Sequence, residues 1–413
     1  MEKIYNYIEQ GKTQLCDSLK ELVRIPTVNP PGTNYAEIVQ LLQERCEALG
    51  MSTKIVPVPQ AEAQAVVPHA DDYPRMNLLA RWDVGAEKTV HFNAHYDVVP
   101  VSGDWRIDPF KPEIVGDWLY GRGADDMKDS IAALLFAIAA LQENGVQPAF
   151  NIECSLTCDE EIGGELGAGY VARNGLVQAD YVVNCEGGSV LNVGLGHNGV
   201  LWLEVTVHGK AAHAANPDKG LNAFEKAAAL VTGIQPLKQQ LKASDRVFKT
   251  FSGDDRYPTL NIGGIFHGTD GDKVNTVPAQ TTFSIDRRIL PNERLATAET
   301  ELRGAIQEVC QSDAELKVDV ASILRIDPCV VEPEHHFPQA FARAVRSIRR
   351  QPIKFGTTSG FTDLHFFVEE GGLSGVGYGP NGQGAHGMNE RVSVSDLVKT
   401  TKVYATFMAR GIF

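Results

Sequence analysis

The chain has 413 residues, 43% hydrophobic and 22% charged, with 38 Lys and Arg against 52 Asp and Glu for a formal net charge of −14. That length exceeds one ordinary core and points to two domains of a soluble, ordered protein. The acidic excess argues against a nucleic-acid or anionic-membrane partner, both of which need a basic footprint, while it suits a site built of carboxylates acting on a small molecule.

The N-terminal stretch, MEKIYNYIEQGK, carries an early glutamate and no apolar core, so it reads as a surface helix instead of a signal peptide. Leu15, Leu19, Leu22 and Val23 continue a helical stripe to about Arg24, which Pro26, Pro30, Pro31 and Gly32 bring to a loop. A second helix is predicted over 35–49 and a strand over 53–58, followed by a long polar loop over 59–74. Strand patterns recur at 77–81, 89–94 and 150–157, with an apolar helix over 130–142 between the last two. Its most apolar run, 131–141, is about half of what a bilayer requires and reads as a buried helix.

Another apolar strand is expected at 181–183. From about His197 the pattern changes to strand 200–207, helix 221–237, strands 261–266 and 281–289, helix 293–311 and strand 316–323. That βαββαβ order is the order of a ferredoxin-like sandwich. A helix over 338–348, a glycine-rich loop region and a closing helix from Ser395 complete the chain. The expected fold is therefore α/β, with a mainly parallel-sheet domain over 1–196 and 328–413 interrupted by a ferredoxin-like domain over 197–327. The seven cysteines are odd in number, scattered and without a CxxC, as for reduced thiols of a cytoplasmic protein. Cys154 and Cys158, four apart, are expected on one face of a strand in a structural role.

Five short stretches carry chemistry. His95 and Asp97, two apart at a strand end, face the same way, as a metal-ligating imidazole and an orienting carboxylate would. GRGADDMK (121–128) puts acidic residues at the start of the apolar helix, which alone would be an ordinary capped start. TCDEEIGG (157–164) places three consecutive carboxylates after a strand, where one can bind metal and its neighbour can move a proton. Glu186 in CEGG follows another strand, and His386 stands alone in the glycine-rich GAHGMNE. In open α/β sheets ligands gather at the carboxyl ends of strands, so these side chains can converge. Two His and three carboxylates form the N/O donor set of zinc, with cobalt or manganese as alternatives.

Taken in order, HYDVVP, GRGADDMK, TCDEEIGG, CEGG and GAHGMNE strongly resemble the M20 metallopeptidase group, which includes acetylornithine deacetylases, succinyl-diaminopimelate desuccinylases, aminoacylases and glutamate carboxypeptidases. The resemblance runs over nearly the whole chain. It implies that His95 and Glu186 hold one metal ion, Glu161 and His386 a second, with Asp126 between them, and that Asp97 orients His95. Glu160 would be the general base. The inserted domain would be a lid that mediates a homodimer, with His213 of the partner subunit stabilising the oxyanion, Asn275 and Arg288 gripping the free carboxylate of the substrate, and Gly360 offering it backbone groups. Asp129, Gly187 and His365 depart from the usual family residues without removing a ligand, which bears on substrate and not on chemistry.

The implied activity is a dinuclear amidohydrolase of N-acyl amino acids, with a dipeptidase or carboxypeptidase as the rival inside the family. A non-catalytic metal-binding scaffold would require loss of the base or a ligand, and all are present. GLGHNG over 194–199 is formally a dinucleotide GxGxxG, yet it precedes a strand at mid-chain instead of opening a helix after an early one.

Overall fold

A computed structural model describes residues 1–67, 70–187, 190–243, 245–269 and 271–412. Gly188, the last residue of the CEGG motif, and two residues of the 59–74 stretch lie outside it. The chain divides into two compact units, one of Met1–Gly196, Val330–Thr358 and Thr362–Phe413, the other of His197–Cys329 and Ser359–Phe361.

The first unit is built on a mixed sheet of nine strands among the described residues. Its centre is parallel: Asn151–Thr157, Thr89–His95, Tyr181–Asn184 and Ser374–Gly377 lie side by side in that order. Met76–Trp82 and Ser52–Pro57 add antiparallel at one side, and Asn192–His197 runs antiparallel beyond Ser374–Gly377. Every residue of Thr89–His95 and of Asn151–Thr157 is buried, as expected for inner strands covered on both faces. Helix Lys128–Glu143 is apolar over most of its circumference and packs against Val394–Arg410.

Register decides where the chemistry emerges. His95 pairs with Thr157 and Asn93 with Asn184, so three neighbouring strands end at one level. The residues that follow them, Asp97, Glu160, Glu161 and Glu186, therefore leave the sheet together. A second, four-stranded antiparallel sheet sets Arg391 opposite Tyr120. It thereby brings the 121–128 turn beside the 384–390 loop, which sequence separation alone would never suggest.

The second unit has strands Gly199–His208, Thr259–Gly268, Gln280–Ile289 and Lys317–Ile326, with helices Ala223–Ala243 after the first and Leu295–Ser312 after the third. The sheet is antiparallel, and Gly199–His208 sits between Gln280–Ile289 and Lys317–Ile326. This is the ferredoxin-like order read from the sequence. Leu201, Leu203, Val205 and Val207 alternate onto the helix-facing side and share a core with Leu230, Ile234, Leu302 and Ile306. No helix of the described residues is long and apolar enough to cross a membrane.

Four details correct the expectations. The N-terminal stripe is two helices, Glu2–Gln10 and Lys12–Arg24, meeting at Gly11, where a Cβ would lie 2.5 Å from the Phe136 ring. The polar 59–74 stretch contains a short helix, Gln60–Val66, seated on Ala63. Cys158 falls just past the end of its strand, although both it and Cys154 are buried. The glycine-rich region after residue 349 contains strands, among them Lys354–Thr358 and Ser374–Gly377, and the latter belongs to the parallel centre.

Candidate metal centre

The centre grows from two rigid pieces and one loop. His95 ends a fully buried strand, and its Nδ1 lies 3.1 Å from the Asp97 carbonyl oxygen and 3.4 Å from Asp97 Oδ1. Those contacts leave Nε2 facing outward from the sheet end. It lies 3.1 Å from Asp126 Oδ1 and 4.0 Å from Glu186 Oε2. On the other side of Asp126, Oδ2 is 3.1 Å from His386 Nε2, which is also 2.9 Å from Glu161 Oε2. One carboxylate thus turns an oxygen toward each imidazole.

Two triads result, His95–Asp126–Glu186 and Asp126–Glu161–His386, the ligand atoms of each lying within 4.8 Å of one another. The structure therefore brings all five residues expected as ligands into one cluster. Glu160 stands against the same cluster, its Oε2 3.9 Å from His95 Nε2.

The electrostatics of this cluster call for positive charge. Burial, then the Asp126 charge, pushes Glu161 up to about 7 and Glu186 well above the carboxylate range. Burial and Glu186 do the same to Glu160. Hydrogen bonds that it donates to Asp126 and Glu161 lift the His386 imidazole to about 10. Burial opposes charge on His95, but its bonds to Asp126 and Asp97 outweigh it and hold the imidazole above its usual range. Glu186 Oε2 is buried with no hydrogen-bond partner among the described residues, a costly state for a carboxylate oxygen unless a cation meets it. Convergent N and O donors around such an oxygen fit divalent metal ions.

Two further residues of the same motifs, Glu390 and Arg122, hold the centre. Glu390 Oε1 accepts the backbone N–H groups of Asp125 and Asp126 at 2.9 and 3.0 Å. Its Oε2 meets Arg122 Nη1 at 2.5 Å, and Arg122 Nη2 also donates to the Gly387 carbonyl at 3.1 Å. Both side chains are buried. This pair ties the Asp126 turn to the loop that carries His386. The tie matters because His386 is 61% exposed and sits at φ 58, a left-handed conformation that few side chains adopt unaided.

Asp363 is another buried carboxyl near the cluster, raised by burial to about 7 and within 3.4 Å of Thr157 Oγ1. No pattern pointed to Arg122, Glu390 or Asp363, since each acts through contacts made across the chain.

The three departures are placed as follows. Asp129 is buried in the first turn of helix Lys128–Glu143 and accepts from the Ser130 N–H at 2.7 Å. Gly187 takes φ 78, outside the reach of the proline it replaces. His365 is buried, with Nδ1 2.8 Å from the Thr362 carbonyl.

The four expected substrate residues all belong to the second unit. His213 pairs with Thr276 across a two-stranded ladder, and the neighbouring Ala214 N–H donates to the Asn275 carbonyl at 2.9 Å, so these two lie together. Arg288 is held by Asp286 at 3.0 Å and reaches the Ser359 carbonyl at 3.5 Å, next to Gly360.

Comparison with known proteins gives a consistent result. The family model described as Peptidase family M20/M25/M40 matches residues 91–410. The succinyl-diaminopimelate desuccinylase of Beijerinckia indica subsp. indica is 26% identical over 409 residues, covering 95% of this chain and 97% of that protein. The acetylornithine deacetylase of Aliivibrio salmonicida is 31% identical over 276 residues, 66% of each chain. The dipeptidase Dug1p of Saccharomyces cerevisiae has a similar fold, with a TM-score of 0.78 at 16% identity over 99% of this chain and 98% of that one.

Proposed function

The chain belongs to peptidase family M20/M25/M40 and is a metal-dependent hydrolase of amide bonds, and we propose that its substrate is an N-acyl amino acid. The observation that carries the reading is Asp126, whose two oxygens face His95 and His386 at 3.1 Å each, with Glu160 alongside. The choice of an acylated amino acid over a peptide is supported by the names of the relatives with the higher identities, a desuccinylase and a deacetylase.

We assign His95 and Glu186 to one ion, Glu161 and His386 to a second, and Asp126 to both. Two zinc ions, with cobalt or manganese as alternatives, would supply an acidified water and a polarised scissile carbonyl. Glu160 accepts the proton of the attacking water and returns it to the leaving nitrogen. Its Oε2, 3.9 Å from His95 Nε2, sets it against the ligand cluster where such a water would be held. Asp97 fixes the His95 ring through Nδ1. In a homodimer, His213 of the partner subunit is assigned the oxyanion, Asn275 and Arg288 are assigned the substrate carboxylate, which the Arg fork matches in shape, and Gly360 is assigned backbone contacts to the substrate. A cytoplasmic setting accords with the free, mostly buried cysteines.

The test is amine release by zinc- or cobalt-loaded protein from N-acetyl and N-succinyl amino acids set beside dipeptides. Turnover of acylated amino acids alone supports the deacylase; turnover of dipeptides alone makes the protein a peptidase. Glu160→Gln should lower kcat by about 10²–10⁴-fold and leave the metal content unchanged. Survival of full activity in that variant removes Glu160 from the base role.

A further inference from the structure

Asp97 and Asp159 are both buried, and neither is a metal ligand in the assignment above. Between them lies one side-chain amide. Asn29 Nδ2 is 2.9 Å from Asp97 Oδ2 and 3.0 Å from Asp159 Oδ1. An amide nitrogen carries two N–H bonds, one for each carboxylate. The opposite amide orientation would turn an acceptor toward both acids, so the hydrogen-bond network assigns the nitrogen to this side.

Each carboxylate does a second job. Asp97 Oδ1 accepts the Glu160 backbone N–H at 3.2 Å, and Oδ2 accepts that of Glu161 at 3.3 Å. Asp159 immediately precedes these residues and takes φ 65, a left-handed conformation. Its Oδ1 also receives the Tyr35 hydroxyl at 2.8 Å, and its Oδ2 receives Arg75 Nε at 2.8 Å. Arg75 is buried under the same loop, and a Cβ on Gly32 would come within 2.9 Å of the guanidinium carbon. The turn that offers Glu160 and Glu161 is therefore gripped from before by Asp159 and from beneath by Asp97. Asn29 donates to both acids.

We propose that Asn29 is a positioning residue of the reaction: by bridging Asp97 and Asp159 it holds the Glu160–Glu161 turn in register with the metal centre. Its action is indirect, through the two acids, and it rests on the amidohydrolase reading of Glu160 and Glu161. With the bridge removed, two buried carboxylates lose their shared donor and repel, and the turn between them gives way first. The backbone around residue 29 is also held by bonds that do not involve the amide. The Asn29 backbone N–H donates to the Val98 carbonyl at 2.8 Å, and Val98 N–H returns to the Thr27 carbonyl at 3.0 Å, bonds that any side chain at position 29 leaves in place.

The experiment compares the full-length wild type with Asn29→Ala and Asn29→Ser, all zinc-loaded. Metal content is measured by mass spectrometry, and amide hydrogen exchange is followed at residues 160 and 161. In Asn29→Ala both amides should exchange at least ~10-fold faster while two zinc ions remain bound, because their acceptor has moved. On any substrate that the wild type turns over, kcat should fall about 10–100-fold with KM within about twofold, the signature of a misplaced base instead of lost binding. Asn29→Ser keeps a single donor, enough for one carboxylate, and should lie between the two. If Asn29→Ala fails to fold, the serine variant carries the same comparison. Wild-type exchange at both amides, or a kcat within twofold of wild type, overturns the proposal. Absence of turnover by the wild type would count against the deacylase reading and leave the exchange result to decide the role of Asn29 independently.

Discussion

Replacing Arg122 with Met tests the account of how the loop-borne His386 is held. The substitution keeps an unbranched, apolar side chain where the Arg stem lies and removes the guanidinium that meets Glu390 at 2.5 Å and the Gly387 carbonyl at 3.1 Å. Both partners of the pair are essentially without solvent contact, so water cannot take over from the lost charge. Breaking such a pair from one side costs about 3–5 kcal/mol. With an unfolding entropy of about 2.1 cal/mol/K per residue over a unit of roughly 280 residues, that cost lowers the unit's Tm by about 5–9 °C. The Glu390 carboxylate still receives the N–H groups of Asp125 and Asp126 in the variant, so the Asp126 side of the centre persists. His386 loses its tether, and the affinity of the ion that depends on it should weaken by roughly 5–30-fold, an energy of about 1–2 kcal/mol. Calorimetric melting of metal-free protein gives the first number and zinc titration the second. A Tm within about 2 °C of wild type would falsify the buried-pair argument. A lowered Tm with two unchanged zinc affinities would reduce the pair to a purely structural contact.

Three further outcomes follow from the same geometry. His386→Ala should bind one zinc ion per chain and Asp126→Ala should lose both, as read by mass spectrometry; a single retained ion in Asp126→Ala would deny its shared position between the two imidazoles. Acidification should release zinc below about pH 6, because ligation needs neutral imidazole and ionised carboxylate and each proton competes with the metal; metal content that stays constant to pH 4 would mean that other donors hold the ions. Arg288→Lys should raise KM for a substrate with a free carboxylate by about tenfold with little change in kcat, since an ammonium cannot reproduce the bidentate fork. An equal KM in that variant would take Arg288 out of the substrate site.

Side chains that face one another because they end adjacent strands were open to inference from the sequence. His95, Glu160, Glu161 and Glu186 each follow an apolar strand within a few residues, and the rule that ligands gather at such ends is enough to group them. The apolar helix and the order of the second unit were equally plain, because period and length are local properties. What escaped is non-local. Ser374–Gly377 has two glycines and no alternation, and becomes a strand only because Tyr181–Asn184 lies beside it to complete its ladder. Helix Gln60–Val66 is too short to show a period, and its place is set by the apolar cluster that Ala63 shares with Val58, Val67 and Leu166. Arg122 reaches Glu390 across 268 residues and Asn29 reaches Asp159 across 130, distances over which no spacing rule operates. The residues proposed as ligands are thus recognisable by chemical type, whereas the residues that aim them are ordinary polar side chains distinguished only by where the fold puts them. Substitutions at these supporting positions should accordingly alter rate and metal affinity without any change in the metal-ligand motifs, because these residues determine the geometry of the centre.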